Sequence, residues 1–323
     1  MLPLPPELYQ HPLDRESFLN LQGLSWLSKL PKLFVMDDME RDYQLLCLAD
    51  HVALRQRDHP KLHAALDRAM DALGFQPRPD LFLLCDPAPQ SYSFGEREPL
   101  IVLSSGLLEL LDDDERMVVL AHEIGHLTLR HTFYQMVAQN FAALAQLSGI
   151  VPFAGAVSLG ARVPLYDWYR KADLSADRAA LAACGDPVLI VRTIAKLAGG
   201  RLGGVTSEAL VDQARLLDRI CEKLKTGSLK ERATYYFSTI FLQGFLRTAP
   251  YPAMRAREIL EWAPSPVAQA LLRKDTVKAQ QLLAAAAHKE ARATPASKIW
   301  GVGAWWDDFA GLFEGENDKK GGP

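Results

Sequence analysis

The stretch His122-Glu123-Ile124-Gly125-His126 decides the fold and holds two histidines four positions apart. On an α-helix, residues four apart lie on one face roughly 6 Å from each other, so both imidazoles can hold one metal ion. Glu123 lies about 100° further around the helix, from where its carboxylate reaches a metal-bound water. The pattern therefore predicts a zinc site for hydrolysis of a peptide bond, with Glu123 as the general base.

The residues before the motif predict the start of a helix. Asp112 and Glu115 have the spacing of a capping box, and their negative charge suits a helix N-terminus. Ala121 and Gly125 are small, which lets another element approach this helix closely. Apolar residues recur at helical spacing and predict one buried stripe, formed by Met117, Leu120, Ile124 and Leu127. The motif is therefore expected in a buried, amphipathic helix.

A catalytic zinc needs a third protein ligand and one position open for water. The remaining histidines lie in polar or alanine-rich stretches, except His131, which is five residues past His126 and points off the ligand face. Residues 166–179 are predicted as a second helix with Asp173 and Asp177 on one face. One of these acids could bind zinc while the other receives the free N–H of a ligating histidine. Two acids at this spacing are also common on solvated helices.

Four blocks in the same order resemble the HtpX and CAAX-prenyl-protease group of zinc metallopeptidases. The first, residues 81–95, looks like the strand of this family followed by its asparagine-alanine-phenylalanine turn, which reads Gln90-Ser91-Tyr92 here. The other three are the glycine-leucine-leucine helix at 105–111, the histidine-rich end of the motif helix at 127–131, and the acidic segment around Asp173 and Asp177.

The resemblance implies an α+β, predominantly helical fold, in which a zincin-like catalytic domain with a small sheet is followed by a helical C-terminal lobe. It implies one Zn²⁺ per chain, bound by His122, His126 and Asp173, with Asp177 orienting a ligand histidine. The family usually has glutamate as third ligand. The shorter aspartate requires a closer helix, a different mode of binding, or a weaker site.

The activity implied is that of a zinc-dependent endopeptidase that acts on polypeptides, as quality-control proteases of this group do. The alternative is a degenerate member that binds unfolded or membrane-associated proteins without cutting them. Intact Glu123 argues against the alternative, whereas the aspartate at position 173 and the tyrosine at position 251 favour it.

A weaker match begins at Tyr251-Pro252 and continues to Arg257, where the family often has a histidine-proline before an arginine. If Tyr251 stands in place of that histidine, it is a catalytic residue that donates a hydrogen bond to the developing oxyanion. The other interpretation is a tyrosine in a proline-rich turn.

Substrate binding is expected at an exposed sheet edge, where an extended peptide adds as an extra strand. Leu81–Cys85 and Leu100–Leu103 are predicted as short buried strands. The segment between them is the predicted substrate edge, with an exposed hairpin as the alternative; its residues are Gln90, Ser91, Tyr92, Ser93 and Phe94.

Composition excludes some partners and favours a location. The chain has 323 residues, 49% of them hydrophobic, and a net charge of −3, so it lacks the basic footprint of a nucleic-acid-binding protein. The four cysteines show no paired metal spacing and are typical of free thiols in a reducing compartment. The first 17 residues lack the apolar core of a signal peptide. These features predict a cytoplasmic protein; they do not indicate its oligomeric state.

The chain is predicted to comprise a helical extension (1–57), the zincin-like core (58–190), a helical lobe (191–295), and an aromatic helix with a disordered tail (296–323). Residues 132–161 carry no charged side chain and are long enough to cross a bilayer. Glycines and a proline interrupt this run, at Gly149, Pro152, Gly155 and Gly160. A buried or interfacial helical hairpin is therefore expected, with peripheral membrane contact as the alternative.

Overall fold

The computed structural model describes residues 4–22, 36–139, 154–200, 206–228 and 251–290. A short 3-10 turn, Pro6–Leu8, opens the described chain. The helices before the catalytic motif are α1 (Pro12–Gln22), α2 (Met36–Asp50), α3 (Pro60–Leu73) and α4 (Ser105–Leu110). Helix α3 starts at Pro60, and Gly74 ends it in a left-handed conformation (φ 66°), which glycine adopts without steric cost.

A small mixed sheet lies on one side of the motif helix. Its strands are β1 (Val52–Ala53), β2 (Asp80–Leu84), β3 (Ser91–Phe94) and β4 (Leu100–Ser104). They lie in the order β1-β2-β4-β3, with β2 parallel to β4 and the outer strands antiparallel to their neighbours. The two predicted strands are confirmed as β2 and β4, and β3 forms an edge of the described sheet.

The motif lies on helix α5 (Asp113–Thr128). The predicted capping box is present: Glu115 N donates to Asp112 Oδ1 (2.9 Å), and Asp112 N donates to Glu115 Oε2 (3.0 Å). Leu120 and Ile124 are fully buried, as the apolar stripe predicts. Burial of this stripe fixes which face of α5 turns toward the core, and hence where the two histidines point.

The rest of the described chain is helical. Its helices are α6 (Thr132–Gln139), α7 (Ala154–Cys184), α8 (Pro187–Gly199), α9 (Ser207–Thr226), α10 (Pro252–Trp262), α11 (Pro266–Leu272) and α12 (Thr276–Glu290). The second acidic helix predicted from the sequence is confirmed within α7. The fold class is α+β and predominantly helical, as expected.

Helices α5 and α7 touch at Gly125. A Cβ at this position would lie 2.7 Å from Ala179 Cβ and 3.2 Å from Ala176 Cα. The distance to Ala179 Cβ is shorter than real Cβ contacts reach, so a larger residue than glycine at position 125 would push the two helices apart. The close contact brings the acidic residues of α7 toward the histidines of α5.

One hydrophobic cluster includes residues from the predicted extension, core and lobe, among them Tyr9, Ile124, Ile194 and Ala256. The boundaries between these parts stay a prediction. No helix among the described residues is long and apolar enough to cross a membrane. The middle of the charge-free run (140–153) and the segment with the aromatic helix and tail (296–323) lie outside the described residues.

Candidate metal centre

Helices α5 and α7 bring three potential ligands together. His126 Nε2 lies 3.0 Å from His122 Nε2 and 3.4 Å from Asp173 Oδ1. The three ligand atoms all lie within 4.8 Å of one another. Around a tetrahedral zinc with bonds of about 2.0–2.1 Å, ligand atoms are roughly 3.3 Å apart. The donor set of two imidazoles and one carboxylate, and its spacing, therefore fit zinc.

Asp177 lies behind the first of these histidines. Its Oδ1 is 3.0 Å from His122 Nδ1, so the ring donates its Nδ1–H to the carboxylate and keeps Nε2 free for a metal. Arg255 from α10 donates two hydrogen bonds to Asp177, from Nε to Oδ2 (2.7 Å) and from Nη2 to Oδ1 (2.6 Å). Asp173 thus lies beside both histidines, and Asp177 lies one turn further along α7, behind His122.

The charges of the cluster favour a cation. Burial alone would raise the pKa of Asp177, but the charge and hydrogen bonds of Arg255 outweigh burial and hold this pKa below its ordinary value. Burial alone would lower the pKa of His122, whereas the hydrogen bond and charge of Asp177 raise it. Burial also lowers the pKa of His126, against the opposing hydrogen bond of Asp173. The carboxylates of Asp173 and Asp177 lie next to a single guanidinium, that of Arg255, so the sum of these three charges is negative. A buried site with negative charge suits a divalent cation.

Glu123 and the cluster line the same cavity, and this cavity has a volume of about 280 Å³. The carboxylate is almost fully buried and accepts a hydrogen bond of 2.6 Å from Ser91 Oγ. One cavity therefore joins a three-ligand cluster, a positioned carboxylate and the first residue of the edge strand.

Comparison with known proteins agrees with this arrangement. The model of Peptidase family M48 matches residues 56–263, which include the three potential ligands, Glu123 and Arg255. The chain belongs to peptidase family M48. It is therefore a member of a metalloprotease family, as the resemblance to the HtpX group implies. No solved structure matches this M48 chain at a significant level.

Curated relatives of this M48 chain carry peptidase names. It is 30% identical over 279 residues to the "Plastoglobule-localized metallopeptidase 48, chloroplastic" of Arabidopsis thaliana, covering 84% of this chain and 77% of that protein. It is 37% identical over 76 residues to a "Protease HtpX homolog" of Tropheryma whipplei (strain Twist), covering 23% of this chain and 25% of that protein. The match to the Tropheryma protein thus spans about a quarter of its length.

The predicted substrate edge of this M48 chain coincides with β3, which Gln90 precedes. Side chains alternate along the strand: Ser91 and Ser93 point toward α5, and Ser93 Oγ donates to the carbonyl of Glu123 (3.3 Å). The rings of Tyr92 and Phe94 contact Tyr43 of α2, with centroid distances of 6.3 and 4.7 Å. The segment therefore reaches the cavity through its first residues, whereas Ser93 and Phe94 are buried.

Tyr251 is the N-cap of α10. Two later residues of that helix, Pro252 and Arg255, line the cavity. Arg257, which the sequence pattern singled out, pairs instead with Asp218 and Glu258. Arg255 is therefore the arginine that lies against Asp173 and Asp177, and the sequence pattern did not single it out. The position of Arg255, one helical turn past Pro252, is the feature of the sequence that could have identified it.

Proposed function

We propose that the chain is a zinc-dependent endopeptidase, with one Zn²⁺ bound by His122, His126 and Asp173. The observation that carries the proposal is the presence of Glu123 and this cluster in one cavity, with all three ligand atoms within 4.8 Å of one another. When bound, zinc acts as a Lewis acid that lowers the pKa of a water and polarises the scissile carbonyl.

Glu123 is the proposed general base. Its carboxylate accepts the proton of the attacking water and later delivers it to the leaving amine nitrogen. Ser91 Oγ donates to Glu123 Oε1 and so restrains the orientation of the carboxylate. Asp177 accepts the Nδ1–H of His122 and keeps that ring in the tautomer that leaves Nε2 free. Tyr251 is the proposed donor to the oxyanion.

The substrate is proposed to bind as an extended polypeptide along β3. This strand pairs with β4 on one side and is an edge of the described sheet, which supports addition of a peptide strand. The lining of the cavity includes six apolar residues, which we call the apolar wall: Leu107, Val118, Val119, Ile194, Leu197 and Ala198. We propose that this wall receives an aliphatic side chain next to the scissile bond.

Metal analysis and a casein-type cleavage assay together test the proposed function. We expect about one zinc per chain in the purified protein and cleavage that a chelator abolishes. Glu123→Gln should retain zinc and fold but lose activity by orders of magnitude, because the amide cannot accept the proton. Undiminished cleavage by that variant would contradict the mechanism.

The same assay separates the alternative function, a module that binds unfolded or membrane-associated proteins without cutting them. In that case the wild-type chain and the Glu123→Gln variant would bind reduced casein equally well, and neither would release fragments from it. Asp173 in the usual place of glutamate and Tyr251 in the usual place of histidine are the features that favour this alternative. Fragments that appear only with intact Glu123 would exclude it.

We also propose a cytoplasmic location with at most peripheral membrane contact, and a role in protein quality control. The interrupted charge-free run supports the first point. Fractionation tests it: the protein should be released from membranes by alkaline carbonate, and retention after that wash would contradict the proposal. A greater amount of misfolded protein in cells that carry Glu123→Gln would support the second point.

A further inference from the structure

His126 turns one ring nitrogen to the proposed zinc position and the other to the protein interior. Its Nδ1 lies 3.0 Å from His131 Nδ1 and 3.1 Å from Gln135 Nε2. A histidine that binds metal through Nε2 carries its proton on Nδ1, so this N–H needs an acceptor. The amide nitrogen of Gln135 is a donor, whereas the unprotonated Nδ1 of a neutral His131 accepts. His131 is therefore the acceptor that the geometry provides.

The end of α5 holds His131 in this place. His131 N donates to the carbonyl of His126 (3.0 Å), and Arg130 N donates to that of Leu127 (3.1 Å). This pair of bonds is a Schellman motif, in which the residue at Arg130 must adopt a left-handed conformation. Arg130 does so, with φ 57°, although glycine is the usual residue there. The chain thus folds back so that the His131 ring lies beside the His126 ring.

Asp14 of α1 lies behind His131. Its Oδ2 is 3.3 Å from His131 Nε2, and its carboxylate also accepts from Trp168 Nε1 (2.9 Å) and Ser175 Oγ (2.7 Å). Asp14 is 0% exposed and His131 is 1% exposed. Three donors therefore surround this buried carboxylate, and it is placed to accept from His131 Nε2.

We propose that His131 and Asp14 are positioning residues of the zinc site. His126 Nδ1–H donates to His131 Nδ1, and His131 Nε2–H donates to Asp14, so each of these two ring N–H groups has an acceptor. The chain fixes the ring and the tautomer of His126 as Asp177 does for His122. Helix α1, far from the motif in sequence, is thereby part of the metal site. The inference rests on the proposed zinc site.

Zinc affinity, measured by competition with a chelating indicator, tests the inference without relying on peptidase activity. Asp14→Asn should weaken zinc binding about tenfold or more, because the ring of His131 loses its anionic partner. Ser17→Ala is the matched control: it also removes a buried hydrogen bond of α1, the one that Lys171 Nζ donates to Ser17 Oγ (2.8 Å). The inference is overturned if Asp14→Asn keeps wild-type affinity, or if Ser17→Ala loses as much.

Two substitutions of His131 separate positioning from general packing. In His131→Asn the amide oxygen can still accept from His126, whereas His131→Leu offers no acceptor. Zinc affinity should therefore fall further in His131→Leu than in His131→Asn. Equal losses of zinc affinity in the two His131 variants would overturn the inference. It would also be overturned if Gln135→Leu lost zinc while His131→Leu retained it. These variants also decide the question if Asp14→Asn does not fold.

Failure of this inference and failure of the proposed function give different results. If the wild-type chain binds no zinc, the proposed function fails and the positioning role fails with it. If the wild-type chain binds zinc and the Asp14 and His131 variants bind it equally well, only the positioning role is wrong. Thermal unfolding of each variant in chelator reports folding of the metal-free chain in both cases.

Discussion

Arg255 and Asp177 form a buried ion pair with two hydrogen bonds, of 2.7 and 2.6 Å, and their side chains are only 16% and 3% exposed. The same guanidinium lies 3.9 Å from Asp173 through Nη1. Because Asp177 also accepts a hydrogen bond from His122, the ion pair links helix α10 to the three potential metal ligands. Arg255 thus balances both carboxylates that surround the two histidines.

The first prediction concerns removal of this arginine. Arg255→Leu should destabilise the metal-free chain by about 3–5 kcal/mol, because it leaves buried carboxylates without a compensating charge. Urea unfolding in chelator measures the loss, and added zinc should recover part of it. Arg215→Leu, which removes an exposed pair with Asp212, is the control and should change stability by at most about 1 kcal/mol. Equal losses in both variants would contradict the prediction.

The second prediction separates the two acids of α7. Asp173→Ala should lose the metal at micromolar zinc, because two imidazoles alone hold it poorly. Asp177→Ala removes only the support of His122, so zinc affinity should fall by roughly 10–100-fold and activity should partly return with added zinc. Zinc titration of both variants compares them. If Asp177→Ala loses the metal outright while Asp173→Ala keeps it, the ligand assignment is wrong by one helical turn.

The motif helix could be predicted because its signals are local. The capping residues Asp112 and Glu115 are three apart, the two histidines are four apart, and the apolar stripe has the helical period. Asp173 and Asp177 are likewise four apart, so the sequence identified both as candidates. The resemblance to a known family then favoured Asp173 as the ligand, and the structure brings this residue to the histidines.

Arg255 and Asp14 could not be predicted in the same way. Arg255 is 78 residues from Asp177, and Asp14 is 154 residues from Trp168, so no periodicity or capping rule connects either pair. Their positions depend on how α1 and α10 pack against α7, which is set by the whole hydrophobic cluster. The pairing of β2 with β4, which leaves β3 at the edge, depends on tertiary packing for the same reason.

The third prediction concerns the contact of α5 with α7. Gly125→Ala should destabilise the chain by about 1–3 kcal/mol and weaken zinc binding, because the new methyl group pushes away the helix that carries Asp173. Adding Ala179→Gly removes the nearest clashing atom and should restore part of both losses. A double-mutant cycle measured by urea unfolding and zinc titration tests this coupling. Additive effects of the two substitutions would show that the contact is not the cause.

The fourth prediction concerns acid stability. Burial alone would raise the pKa of Glu258, but hydrogen bonds from His11 and Arg257 lower it from 4.5 to about 2. A carboxyl whose folded pKa is depressed stabilises the fold above its unfolded pKa, and this contribution is lost as the pH falls from 4.5 toward 2. In chelator, wild type should therefore have a higher free energy of unfolding than Glu258→Gln at about pH 5. This difference, the stability gap, should narrow by about 2 kcal/mol between about pH 5 and about pH 3.

Urea unfolding at a series of pH values measures this gap. Glu261→Gln is the matched control, because Glu261 lies on the same helix with a side chain that is 65% exposed. Its stability should follow that of the wild type at every pH. A gap between wild type and Glu258→Gln that stays constant across the whole acid series would show that Glu258 does not gain stability from these partners.

The last prediction concerns the apolar wall of the cavity. Leu197 of α8 belongs to this wall and is half-buried, so a larger side chain at this position reduces the free volume of the cavity. Selectivity is measured with two peptides that carry either leucine or alanine next to the cleaved bond, as the kcat/KM of the leucine peptide divided by that of the alanine peptide. In Leu197→Trp this ratio should fall about tenfold or more, because filling a hydrophobic pocket changes selectivity by this order. Val188→Trp, on the same helix at a position 59% exposed, should leave the ratio unchanged. Equal selectivity in wild type and Leu197→Trp would mean that the wall does not contact the substrate.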